Sequence, residues 1–149
     1  MNSHKWIIFL PLLTFQLVNA QVDSASVFEK SKGTWLHPLA KFSKIAHYSD
    51  SSIFHYYDYI IYSTDNPSPV KAVFDGKVTN IINLNEMYSV TTRYAYYYII
   101  YVGLLKPVVS KGDILKQGQV ISNGLEYGYY LTISLIKYGK QIDLTPWFK

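Results

Sequence analysis

The chain has 149 residues, 49% of them hydrophobic and 17% aromatic, with 15 tyrosines. That is enough apolar side chain to close the core of one domain, and it excludes an intrinsically disordered chain. A formal charge of +4, scattered without a Lys/Arg stripe, is no nucleic-acid footprint, and the absence of Cys excludes disulfides, thiolate zinc, iron–sulfur clusters and a cysteine nucleophile.

At the amino terminus, Lys5 precedes the apolar run Trp6 to Val18, and Val18-Asn19-Ala20 has the small-x-small form of a cleavage point. Residues 1–20 are therefore expected to be a signal peptide removed after Ala20. The run contains Pro11, Thr14 and Gln16 and falls short of the ~20 apolar residues that span a bilayer. The expected product is periplasmic or secreted, with no stable membrane insertion after cleavage. With no Cys at the cleavage point, it is not lipidated there.

Residues 21–50 are polar at first and broken by Pro38, and are expected to form an irregular, loosely packed lead-in to a core domain over 51–149. Ile53 to Tyr62 reads as a strand, and Thr64 to Pro69 as a loop. Val70 to Phe74, the turn pair Asp75-Gly76 and Lys77 to Ile82 predict a hairpin. Tyr88 to Tyr94 and Tyr97 to Leu104 predict a second, joined by Ala95-Tyr96. Ile114-Leu115 and Val120-Ile121 are short strands set between Gly turns. Tyr129 to Ile136, a turn at Lys137 to Lys140, and Gln141 to Leu144 complete the chain before Pro146-Trp147. No helical period runs past residue 50, so the expected class is all-β, with seven or so strands in a sandwich or barrel.

After the signal only three histidines remain. His37 and His47 lie in polar or Pro-broken sequence and read as surface or capping residues. His55 and Asp58 have opposite parity on a strand and would diverge. A Ser–His–Asp arrangement would have to borrow His55, and no nucleophile elbow, phosphate loop or dinucleotide fingerprint occurs. Glu29, Glu86 and Glu126 all stand in loop-like sequence, which leaves paired carboxylate chemistry without support. What remains is tyrosine: Tyr94, Tyr96, Tyr97, Tyr98 and Tyr101, then Tyr127, Tyr129 and Tyr130. Such a band can stack on sugars or peptides or anchor a protein, and it can equally be ordinary strand packing.

From Pro69 to Trp147 the order of motifs resembles the β-sheet core of LytM/lysostaphin-type zinc endopeptidases, which cut peptidoglycan cross-bridges. Pro69-Val70-Lys71-Ala72-Val73-Phe74-Asp75-Gly76-Lys77-Val78 is similar to that family's "tPV-x-A-x-x-dG-x-V" hairpin. Val109 to Ile121 is similar to its "V-x-x-G-d-x-V-x-x-G-q-x-I" segment. The second motif alone also resembles biotinyl and lipoyl carriers, but these need a modifiable Lys in a tight hairpin, and an export signal argues against them. The resemblance implies a barrel-sandwich hybrid or small β-sandwich of short antiparallel strands. It also implies a zinc held by the His and Asp of H-x-x-x-D and the second His of H-x-H, assisted by the first His of H-x-H and the His of Y-x-H-L. In this chain Asp58 aligns with the Asp of the first motif, but Phe54 stands four residues before it and His55 is one place out of register. Gly103 replaces the His of Y-x-H-L, and Tyr130 and Thr132 replace both histidines of H-x-H.

The resemblance therefore implies a catalytically inactive, cofactor-free relative that binds peptidoglycan or a cell-wall hydrolase at the envelope. Asp58, Tyr94, Tyr101, Gly103, Tyr130 and Thr132 are expected to form its degenerate groove. Two alternatives stand beside it. One is a divergent zinc endopeptidase in which His55, Asp58 and either His37 or His47 rebuild a metal site. The other is a structural envelope protein with only a protein partner.

Overall fold

The structure is a computed structural model that describes residues 24–51, 56–65, 67–126 and 129–149. The expected signal peptide, His55, Tyr127 and Gly128 lie outside the described residues. Ten strands are described: β1 (Lys44–Ser51), β2 (Tyr56–Ser63), β3 (Val70–Lys71), β4 (Gly76–Asn83), β5 (Tyr88–Tyr94), β6 (Tyr97–Leu104), β7 (Ile114–Leu115), β8 (Val120–Ser122), β9 (Tyr130–Lys137) and β10 (Lys140–Ile142). A 3₁₀ turn follows over Thr145–Trp147. The fold is all-β and antiparallel, as expected. The large sheet runs β1-β2-β9-β6-β5-β4-β7 with β10 also paired to β9, and β3 pairs with β8 in a small second sheet. The large sheet stays open, with β1 and β7 at its edges, and does not close into a barrel. No helix among the described residues is long and apolar enough to cross a membrane.

The β5–β6 hairpin turns at Ala95-Tyr96 as the sequence predicts, with Tyr94 opposite Tyr97 and Ala95 at φ 53°. The β9–β10 hairpin closes with Lys137 opposite Lys140. Its two linking residues, Tyr138 and Gly139, both have positive φ, the backbone of a type I′ turn whose twist matches the flanking strands.

The Asp75-Gly76 hairpin does not form. β3 pairs with β8, while β4 pairs with β5 and β7. Long-range bonds draw the chain ahead of Gly76 away from β4. Ala72 N–H donates to Gln119 O (2.8 Å), Gly118 N–H donates to Ala72 O (2.8 Å), and Asp75 Oδ1 accepts from Gln117 N–H (2.8 Å).

The lead-in is also more ordered than its sequence suggests. Residues 24–30 are helical and β1 is a full sheet strand. Phe28 is buried face to face on Tyr97 (centroids 3.9 Å apart), and Trp35 is buried against Phe74 and Trp147. Trp35 N–H donates to Trp147 O (2.9 Å) and Trp147 Nε1–H to Phe28 O (3.2 Å), so both ends of the described chain close over one core. Two widely spaced aromatics suffice for this because each buries a large apolar area, whatever the polarity of the residues between them.

Strand alternation gives the large sheet two distinct faces. Ile60 and Tyr62 of β2, Leu131, Ile133 and Leu135 of β9, and Tyr97, Ile99 and Tyr101 of β6 are all buried and stand in register as the inner face. Tyr57, Tyr59 and Ile61, Tyr130 and Thr132, and Tyr98, Ile100 and Val102 form the outer face, which is half-buried to exposed.

Candidate functional site

The six expected groove residues divide between these two faces. On the outer face, Thr132 stands between Ile61 of β2 and Val102 of β6, its register partners on either side. Tyr130, one side chain along β9, is 55% exposed. Gly103 borders the pair. It is the extra residue of a bulge, since Val102 pairs with Ser89 and Leu104 with Tyr88. Its φ is +104°, and a Cβ there would stand 2.2 Å from the carbonyl oxygen of Tyr130. Glycine is therefore required where the resemblance would put a histidine: no side chain fits without moving β9.

Asp58, Tyr94 and Tyr101 belong to the inner parity and are not brought to that face. Tyr101 is fully buried, and its hydroxyl accepts the Val73 N–H (3.0 Å). Burial pushes its phenol pKa up, so it stays protonated and serves the core. Tyr94 packs edge-on against Phe74 (5.0 Å). Asp58 is 1% exposed. Across from Thr132 the sheet places Ile61, not Asp58.

This outer face does not fit the zinc that the resemblance implies. Ile61 and Val102 offer no donor, Gly103 has no side chain, and Thr132 and Tyr130 offer neutral hydroxyls. Zinc takes imidazole, thiolate and carboxylate groups. What the face does carry is aromatic. Tyr48 of β1 stacks on Tyr59 (5.0 Å, 21° between planes), and Tyr48, Tyr57 and Tyr130 are each about half exposed. In the sequence Tyr57 and Tyr59 stand out only as strand residues, and the alternation of Tyr57, Tyr59 and Ile61 is the signal that marks them as one face.

A different set of donors meets where the large sheet forks. β2 pairs with β9 over Ile60–Ser63, and β10 takes over the same edge of β9 from Leu135 onward. Asp58 sits at this fork, its backbone N–H held by Gln141 Oε1 (2.9 Å). His47 reaches it from β1, because His47 pairs with Ile60 and shares its face. His47 Nε2 lies 2.9 Å from Asp58 Oδ1 and 3.5 Å from Asp143 Oδ1. Asp143 Oδ1 is fixed by the Thr145 N–H (2.8 Å) and hydroxyl (2.6 Å). His47 is thus an exposed histidine, as its sequence context suggests, and also the partner of a buried carboxylate. Asp143 was not singled out from the sequence: its Asp-x-Thr spacing signals only a turn.

His37 lies elsewhere. Its Nδ1 is 2.7 Å from the Tyr62 hydroxyl, and its ring stacks flat on Phe148 (5.1 Å, 4°). Burial lowers its pKa and pushes the Tyr62 hydroxyl upward. It borders a cleft of about 470 Å³ lined by Leu36, Leu39, Phe42, Lys71 and Gln117.

No family model and no curated protein matches the chain. Solved structures do. Helicobacter pylori Csd3 matches with a TM-score of 0.66 at 19% identity, over 78% of this chain and 34% of that one. A zinc-containing peptidase from Vibrio cholerae matches with a TM-score of 0.60 at 19% identity, over 76% of this chain and 40% of that one. The catalytic domain of the antimicrobial peptidase lysostaphin from Staphylococcus simulans matches with a TM-score of 0.57 at 19% identity, over 69% of this chain and 90% of that domain. The chain spans about a third of the length of the Csd3 chains it matches. The structural neighbours are LytM-type peptidases, and at these identities what is shared is the fold.

Proposed function

We propose that this protein is a non-hydrolytic LytM-fold module, exported by its amino-terminal signal, that binds peptidoglycan through the outer face of its large sheet. One observation carries the reading. At the positions where the family resemblance expects one metal ligand and two assisting histidines, the face holds Thr132, Tyr130 and Gly103, and the Gly103 backbone leaves no room for a side chain. Hydrolysis of an amide in this family depends on a metal-polarised water, and a face of hydroxyls and aliphatics holds no metal. The same face offers exposed phenol rings at Tyr48, Tyr57 and Tyr130, which can stack on sugar rings and hydrogen-bond through their hydroxyls. Peptidoglycan is favoured over a hydrolase partner because these rings lie one on each of three adjacent strands, β1, β2 and β9, a spread that suits an extended polymer.

The test is to incubate the purified protein with isolated sacculi, then measure both sedimented protein and soluble peptide or glycan released. Capture without release, weakened in Tyr130→Ser and Tyr48→Ser, is the expected result. Release of fragments that stops on chelation would overturn the reading in favour of the endopeptidase. Absence of capture would overturn it in favour of a structural protein with a protein partner.

A further inference from the structure

We infer that His47, Asp58 and Asp143 form a binding site for one zinc-class divalent cation, which clips the edge strand β1 to the carboxy-terminal segment. The site lies on the inner-face parity of β2, across the sheet from Tyr130 and Thr132, and does not depend on the binding role proposed for that outer face.

Among the described residues, this is the set of three His or acidic side chains whose ligand atoms all lie within 4.8 Å of one another. The spacing suits a small ion. Donors held about 2.0–2.1 Å from a tetrahedral zinc stand about 3.3 Å apart, and the two distances from His47 Nε2, 2.9 and 3.5 Å, straddle that value. One imidazole nitrogen and two carboxylates are also a borderline donor set. It favours Zn²⁺ and its first-row neighbours over Mg²⁺ or Ca²⁺, which prefer oxygen alone. The three protein donors leave a fourth position to solvent on the side where His47 and Asp143 are partly exposed.

Two further features mark the site as built. Asp58 is a carboxylate withdrawn almost wholly from water and paired with His47, and a second carboxylate, Asp143, reaches the same imidazole nitrogen. The supporting contacts also come from outside the set: Gln141 fixes the Asp58 backbone, and Thr145 fixes the Asp143 carboxylate. Such contacts orient metal ligands before the ion arrives. β1 gives the site a purpose. It is an edge strand whose residues are nearly all exposed, so few apolar contacts hold it, and an ion shared with Asp143 would fasten it to the segment that carries the buried Trp147.

The test is zinc titration of the metal-stripped protein against a chromophoric chelator, with thermal melting and amide exchange of β1 followed in parallel. One zinc per chain, a higher melting temperature and slower exchange in β1 are expected. Affinity should fall at least about tenfold, the loss that follows even from removing a hydrogen-bond partner of a ligand, in both His47→Ala and Asp143→Asn. His37→Ala should bind normally. Asp143→Asn keeps an oxygen for Thr145, so its loss of zinc would not reflect a lost turn. Failure to bind zinc at micromolar concentration would overturn the site, leaving His47 and Asp58 as a plain ion pair. Undiminished binding in His47→Ala would overturn it equally, by placing the metal elsewhere. Neither result bears on whether sacculi are captured.

Discussion

Strand β2 turns Tyr57, Tyr59 and Ile61 outward and Asp58, Ile60 and Tyr62 inward, and the two sets have different neighbours. The outward set meets Tyr130 and Thr132 and makes an open surface of rings, methyls and hydroxyls. The inward set meets His47 at one end and His37 at the other, with buried apolar side chains between. The lesson is one of parity. A one-residue step along a strand moves a side chain through the sheet, so a carboxylate three residues from Ile61 cannot join the residues that Ile61 touches. The buried Asp58 carboxylate and the exposed rings lie here on opposite sides of one sheet.

The comparison breaks first if inner residues can be removed without cost. Tyr101→Ala should destabilise the fold by about 4 kcal/mol, the cost of emptying a large buried aromatic site, and it also strands the Val73 N–H. Denaturant unfolding measures this, and a loss under about 1 kcal/mol would return Tyr101 to a surface role. Gly103→Ala should cost about 3 kcal/mol, from a strained positive φ together with a Cβ driven against the Tyr130 carbonyl. Gly103→His should be no better tolerated, so introducing the histidine of the Y-x-H-L motif will not by itself build a site there.

A smaller effect concerns the lead-in. Burial alone would raise the pKa of Glu29, but hydrogen bonds from Lys32, Tyr97 and Lys137 together with the Lys32 charge bring it down to about 2. Because that is below its ordinary 4.5, the ionised carboxylate stabilises the fold at higher pH, and the contribution is lost as pH falls from about 4.5 toward 2. Melting temperature should decline over that window, and Glu29→Gln should flatten part of the decline. An unchanged slope in Glu29→Gln would detach the helical segment from Tyr97.

These contrasts also explain what could be read from the residues alone. The β5–β6 hairpin was legible to the residue because its turn, register and alternation are all local. The Asp75-Gly76 dipeptide suggests a hairpin that does not form, because β4's partner is decided by contacts with the chain around Gln117, which the dipeptide does not reveal. Gly103, Tyr130 and Thr132 were legible as departures from a motif. Their separation from Asp58 was not, because the face each residue takes depends on how β2 registers against β9. Asp143 was hidden for the same reason: only the fork between β2 and β10 brings it to His47.

The smallest expected stability change carries the most functional weight. Tyr130 is 55% exposed at the start of β9. Tyr130→Ser should alter unfolding free energy by no more than about 0.5 kcal/mol, the range of ordinary surface substitutions. If the outer face binds a glycan strand by stacking, the same change should reduce capture by sacculi severalfold, and Tyr48→Ser should act similarly through its stack on Tyr59. A variant pair that loses stability but not capture would reverse the roles of the two faces. Loss of capture at unchanged stability would assign binding to the outer face.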